Sequence, residues 1–144
     1  MSIEETIMDA LASRVATVTD VVTINTDRII LSTSDFRDHE LPAVQIWDVA
    51  QSVQHQRGRI LVNWAMSLEI IMKSLETGAV NQRTLWDLRR QIQLALWNEP
   101  NLNIPGVVHL IYSGNITDLH LIEPFYIARI DFDVQFYDDL TGSC

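Results

Sequence analysis

The feature that most constrains this chain is a run of strict alternation, in which Ile60, Val62, Trp64, Met66, Leu68, Ile70 and Met72 occupy every second position. Side chains along a strand point alternately to its two faces, so these seven stand on one side of a single long strand. The intervening Leu61, Asn63, Ala65, Ser67, Glu69, Ile71 and Lys73 are mixed, which predicts a second face partly covered by another subunit or a crossing element. A similar strand is expected over 125–137, with Ala128, Ile130, Phe132, Val134 and Phe136 set against Ile127, Arg129, Asp131, Asp133 and Gln135. Shorter strands are expected over 42–49, where Val44 and Ile46 alternate with Ala43, Gln45 and Trp47, and over 106–112. Alternation this clean belongs to a mostly antiparallel sheet with one face covered.

Two segments supply the cover. Ser2 and Glu5 have the spacing of a capping box, in which hydroxyl and carboxylate each reach an orphan backbone N–H at a helix start. Ile3, Ile7, Met8, Leu11 and Val15 then recur every three to four residues and form one apolar stripe. A second helix starts at Asn81 or Thr84, buries Leu85, Leu88, Ile92, Ala95 and Leu96, and ends near Asn98 because Pro100 cannot continue it. The expected fold is therefore α+β, an α/β-type sandwich: a mixed, mostly antiparallel sheet of about four to five strands with two main helices packed on one face. At 144 residues and 47% apolar content, 1–144 is read as a single domain able to bury its own core. β-Branched runs suggest short strands over 21–24 and 29–31. Mobile polar loops are expected over 32–41, 50–58 and 113–124, and a short disordered C-terminus over 140–144.

Charge narrows the partners. Nineteen acidic residues against ten basic ones give a net charge of −9, which repels phosphate backbones and anionic lipid and disfavours tight nucleic-acid binding. DNA can still slide past an acidic wall without sticking. Nine of the ten basic residues are arginine, the type suited to forked contacts with carboxylates. The longest apolar runs fall well short of a membrane span, and no basic region precedes an apolar stretch at the N-terminus, so no membrane contact is expected. Cys144 has no intramolecular partner, which excludes a disulfide framework and weakly favours the cytosol.

Catalytic equipment is sparse. Asp131 and Asp133 point the same way from one strand, about 7 Å apart, and with Glu69 they outline a conceivable metal or acid/base cluster; the competing reading is solvated carboxylates, with Arg129 as a nearby partner. His39, His55, His109 and His120 lack metal-ligand spacing, and no nucleophile elbow or phosphate-cradling glycine loop is present. No cofactor, metal or catalytic residue is assigned, and the chain is expected not to be an enzyme. Trp64 reads as core, whereas Trp47, Trp86 and Trp97 are open between core and subunit contact. Arg57, Arg59, Arg83, Arg89 and Arg90 are candidate contacts with a neighbouring subunit or partner, the alternative being a solvated face.

The order of elements resembles the tail terminator (tail completion) proteins of tailed bacteriophages. The resemblance is carried by the starting amphipathic helix, the Leu41-Pro42-Ala43-Val44 strand entry and the strand through Ser67-Leu68-Glu69-Ile70. It continues in the helix with Leu85-Trp86-Asp87-Leu88-Arg89-Arg90-Gln91-Ile92 and Ala95-Leu96, then Asn101-Leu102 and Gly106-Val107-Val108, and the final Ile130-Asp131-Phe132-Asp133-Val134-Gln135-Phe136-Tyr137. It implies a subunit that closes into a homo-hexameric ring, caps the finished tail tube, stops its polymerisation and presents a surface for joining tail to head. The implied partners are the tube protein, a sheath protein and a head-tail connector or neck protein, and genomic DNA passes through without specific binding. The implied location is the neck end of the tail in the virion, after assembly in the host cytoplasm. Arg57, Arg59, Arg83, Trp86, Arg89, Arg90 and Trp97 would then lie at interfaces, Glu69, Asp131 and Asp133 on an acidic or lumen face, and residues 50–58 would reach along the tail axis. The alternatives are another connector or neck protein of the same particle, or a small metal-dependent hydrolase.

Overall fold

The computed structural model describes residues 2–26, 37–73, 81–99, 101–117 and 125–138. The strict alternation becomes strand β3 (Arg59–Lys73), which lies at the centre of a five-stranded sheet. Its neighbours are β2 (Ala43–Gln56) and β5 (Phe125–Asp138), both antiparallel to it. β1 (Thr23–Asn25) pairs in parallel with the start of β2, and β4 (Val107–Thr117) forms the far edge, antiparallel to β5. The order β1-β2-β3-β5-β4 makes a mixed, mostly antiparallel sheet. With helices α1 (Ile3–Ala16) and α2 (Asn81–Trp97), this is the expected α+β class.

Register explains the core. β3 pairs Trp64 with Val134, Met66 with Phe132, Leu68 with Ile130 and Ile70 with Ala128, so both alternating rows fall on the same face. On that face α1 lays Ile7, Leu11 and Val15, and α2 lays Leu85, Leu88, Ile92 and Leu96, in one contiguous apolar cluster. Each such side chain contributes roughly 1.5–3 kcal/mol on leaving water. α1 starts as its sequence predicts, with Ser2 Oγ accepting from the Glu5 backbone N–H at 3.1 Å. Arg14, near the other end of α1, forms an ion pair of 2.8 Å with Glu99, which ties the helix to the turn after α2. That turn buries Leu102 although its φ is 55°, a left-handed conformation that costs a side-chain-bearing residue about 1–2 kcal/mol.

Four expectations need correction. Residues 50–56 are not a loop: they continue β2, pair rung by rung with β3, and leave only Arg57 and Gly58 as the turn. The backbone ladder rather than burial makes this segment a strand, so it carries no apolar alternation to be read. Residues 113–117 are likewise strand, the second half of β4, polar because β4 is an edge. Of the expected loop 32–41, residues 38–40 form one 3-10 turn (Asp38–Glu40). The expected strand at 29–31, the loop portions 32–36 and 118–124, and the C-terminus 140–144 lie outside the described residues. The expected 21–24 strand is narrower and shifted, at Thr23–Asn25.

Candidate functional site

Three surfaces gather the residues that the sequence singles out. The first is the helix-free face of the sheet. Its register sets Gln45 beside Glu69 and Glu69 beside Arg129, then Trp47 beside Ser67 and Ser67 beside Asp131, then Ala65 beside Asp133. Glu69, Asp131 and Asp133 thus share one face, and each is met by a different donor. Gln45 Nε2 donates to Glu69 Oε1 at 3.3 Å, Ser67 Oγ to Asp131 Oδ1 at 2.7 Å, and Asn63 Nδ2 to Asp133 Oδ2 at 3.1 Å. Asn25 Nδ2 extends the chain by donating to Gln45 Oε1 at 2.9 Å. Arg129 Nε lies 3.2 Å from Asp131 Oδ1, an ion pair by distance whose angle falls short of a hydrogen bond.

An open cleft of about 480 Å³ runs over this network between Trp47, Ser67, Ser113 and the two aspartates. Amide, hydroxyl and carboxylate partners spaced across β1, β2, β3 and β5 make a polar lining rather than a convergent centre. Among the described residues no three His, Cys, Asp or Glu side chains come together as a metal-holding group. His39, His55 and His109 stand on separate elements, and His120 lies outside the described residues.

The second surface is the outer side of α2 against β4. Arg83, Trp86, Arg90 and Leu94 are all exposed on α2, with Trp86 at 44% and Leu94 at 57%. Tyr112 on β4, at 44% exposure, lines a shallow cleft with Arg90 and Leu94. Arg89 Nη1 donates to Asn115 Oδ1 at 3.1 Å, Gln93 Nε2 donates to Tyr112 Oη at 3.3 Å, and Asn115 Nδ2 also donates to Tyr112 Oη. Trp97 is held inward instead. Its indole meets Tyr112 and Phe132 edge-on at 5.7 and 6.0 Å, and its Nε1 donates to the Leu110 carbonyl at 3.2 Å. Trp97 therefore stiffens the patch, whereas Trp86, Arg83 and Arg90 are exposed on it. Exposed Trp, Tyr and Arg together are the composition of binding hot spots.

Leu94 and Tyr112 are the residues that sequence reasoning missed here. Leu94 falls outside the buried 85, 88, 92, 96 stripe, and that offset was the available signal. Trp64 is core as expected, at 4% exposure and edge-on to Phe136 at 6.2 Å, and Trp47 is half-buried at the margin of the open face.

The third surface is the β2–β3 hairpin, where Gln56 pairs with Arg59 across the Arg57-Gly58 turn. Gly58 has φ 77°, a conformation glycine takes without penalty. Every residue from 48 to 59 is exposed. The Arg59 guanidinium lies 3.7 Å from the centroid of the Tyr137 ring, so one hairpin arginine is spent on holding the arm to β5. Among the described residues no helix is long and apolar enough to cross a membrane.

No family model matches the sequence, and no curated protein matches it. The fold is shared with a solved chain of the virion of a native gene transfer agent (GTA) particle. The two superpose with a TM-score of 0.52 at 7% sequence identity, over 91% of this chain and 94% of the other.

Proposed function

We propose that this chain is a structural subunit of a phage-like particle, and within it a tail terminator. The observation that carries the reading is the fold shared with the gene transfer agent virion chain over nearly the full length of both. The sequence resemblance to tail terminators supplies the finer role: a homo-hexameric ring that caps the tail tube, ends its polymerisation and offers the surface on which a connector or neck protein joins tail to head. The ring sits at the neck end of the tail in the virion and is put together in the host cytoplasm. It contacts the tube protein and, where the tail has one, the sheath.

Physical features support the assignment. A net charge of −9 suits a wall past which DNA slides without adhering, and the helix-free face with Glu69, Asp131 and Asp133 is the proposed lumen lining. Their hydrogen bonds to Gln45, Ser67 and Asn63 hold them in place as a fixed negative surface. The Arg83, Trp86 and Arg90 patch is the proposed contact with a neighbouring subunit or the tube. On this reading the protein has no turnover, no metal and no cofactor.

The reading is tested by adding the purified protein to polymerising tube protein and measuring tube length by electron microscopy. Shortened tubes with a ring at one end are expected. Tubes of unchanged length with no terminal density would refute the capping role and favour a connector elsewhere in the neck. Turnover of a phosphoester or peptide substrate lost in Asp131→Asn would favour the hydrolase instead.

A further inference from the structure

The β2–β3 hairpin is built unlike the rest of the molecule. Beyond the bulge at Asp48/Ala50 both of its strands continue in perfect register, yet β2 there has no core beneath it on either face. Val49 and Val53 stand at 60% and 56% exposure, although Val62, the cross-strand partner of Val53, is buried between β2 and β5. An isolated two-stranded ribbon is marginal in water. This one is braced on one side by β5 and by Arg59 stacked on Tyr137, and its outer β2 edge beyond Gln45 has no strand partner among the described residues. It is an ordered arm whose β2 side chains and turn stand exposed.

Its charge is also opposite to the body's. Residues 49–68 contain Arg57 and Arg59 and no acidic residue, a net charge of +2. The remaining chain carries eight basic against nineteen acidic residues, a net charge of −11. Copies of a chain with that body repel each other on net charge, and the arm is a basic segment free of acidic residues that offsets this repulsion where it meets the body. We infer that the β2–β3 arm, with Arg57 at its turn and Val53 on its shaft, docks on the acidic body of a second copy of this chain. Such a contact is heterologous: each copy gives an arm and receives one, and repeated rotation closes it into a ring. The inference rests on the assembly reading above and names the element that joins the subunits.

Salt does not test it cleanly, because salt screens both the arm's attraction and the repulsion between bodies. The test is substitution at fixed ionic strength. Association of the wild type, Arg57→Glu, Arg57→Lys and Val53→Glu is measured by sedimentation across a concentration series, with thermal melts to confirm folding. Arg57 is an exposed turn residue and Val53 stands 56% exposed on β2, so all three variants are expected to fold. Arg57→Glu and Val53→Glu are each expected to weaken self-association by about tenfold or more, and Arg57→Lys to keep it. Self-association that is equal in Arg57→Glu and wild type would overturn the arm while leaving the terminator reading to the tube-length assay. A wild type that stays monomeric but binds tube protein through Arg57 would overturn the second copy as occupant and assign the arm to the tube.

Discussion

The two ends of the β2–β3 ladder are made of the same backbone pairing and behave as different materials. Near the start of β2, Val44 faces Ile70 and Ile46 faces Leu68, and all four are excluded from water. Toward the turn, Val53 faces Val62 and Gln54 faces Leu61, with the β2 member exposed in both rungs. What differs is the β2 side: in the first half both members of these rungs join the core, whereas in the second only the β3 members Val62 and Trp64 do. Hydrogen bonding shapes both halves, but β2 itself draws stability from burial only in the first. The β2 side chains of the second are left exposed.

Substitutions can break or sharpen that contrast. Phe132→Ala, at 1% exposure beneath α2, is expected to cost about 3–5 kcal/mol in urea denaturation, whereas Val53→Ala in the arm should stay within about 0.5 kcal/mol. Equal costs would mean that the arm is packed after all. Leu102→Ala is expected to cost about 2–4 kcal/mol although the residue sits in a turn, because its side chain plugs the core at 4% exposure. Gly58→Ala, at φ 77° with open space around the added methyl, should cost about 1 kcal/mol from backbone strain alone. Its effect should appear as faster amide exchange in 50–60 with protection of 64–72 unchanged. Arg59→Ala removes the stack on Tyr137 and should loosen the same amides by about 0.5–1 kcal/mol.

The same contrast explains what was legible in the sequence. β3, β5, α1 and α2 announce themselves because each has one face against the core, and burial writes a period of two or of three to four into the residue types. Ser2 marks the start of α1 for an equally local reason, a hydroxyl within reach of an orphan N–H. The arm reads as a loop because sequence periodicity records burial, and a strand exposed on both faces has none; the 113–117 half of β4 reads as one because its residue types are mostly polar. β1 is three residues held by pairing with β2, too short for any pattern.

Among the candidate sites, strand parity placed Glu69, Asp131 and Asp133 on one face, but which donor each carboxylate takes depends on cross-strand register. Arg57 and Arg59 lie two residues apart, and it is Arg59 that stacks on Tyr137. Only the position of Tyr137 across the sheet separates them.

The central claim is that this subunit ends the growth of a tail tube. It is tested most directly by electron micrographs of tails from particles assembled without the protein, against tails from particles in which it is restored. The account predicts tubes of irregular, excessive length without it and uniform length on restoration. Tails of normal length in its absence would contradict the claim.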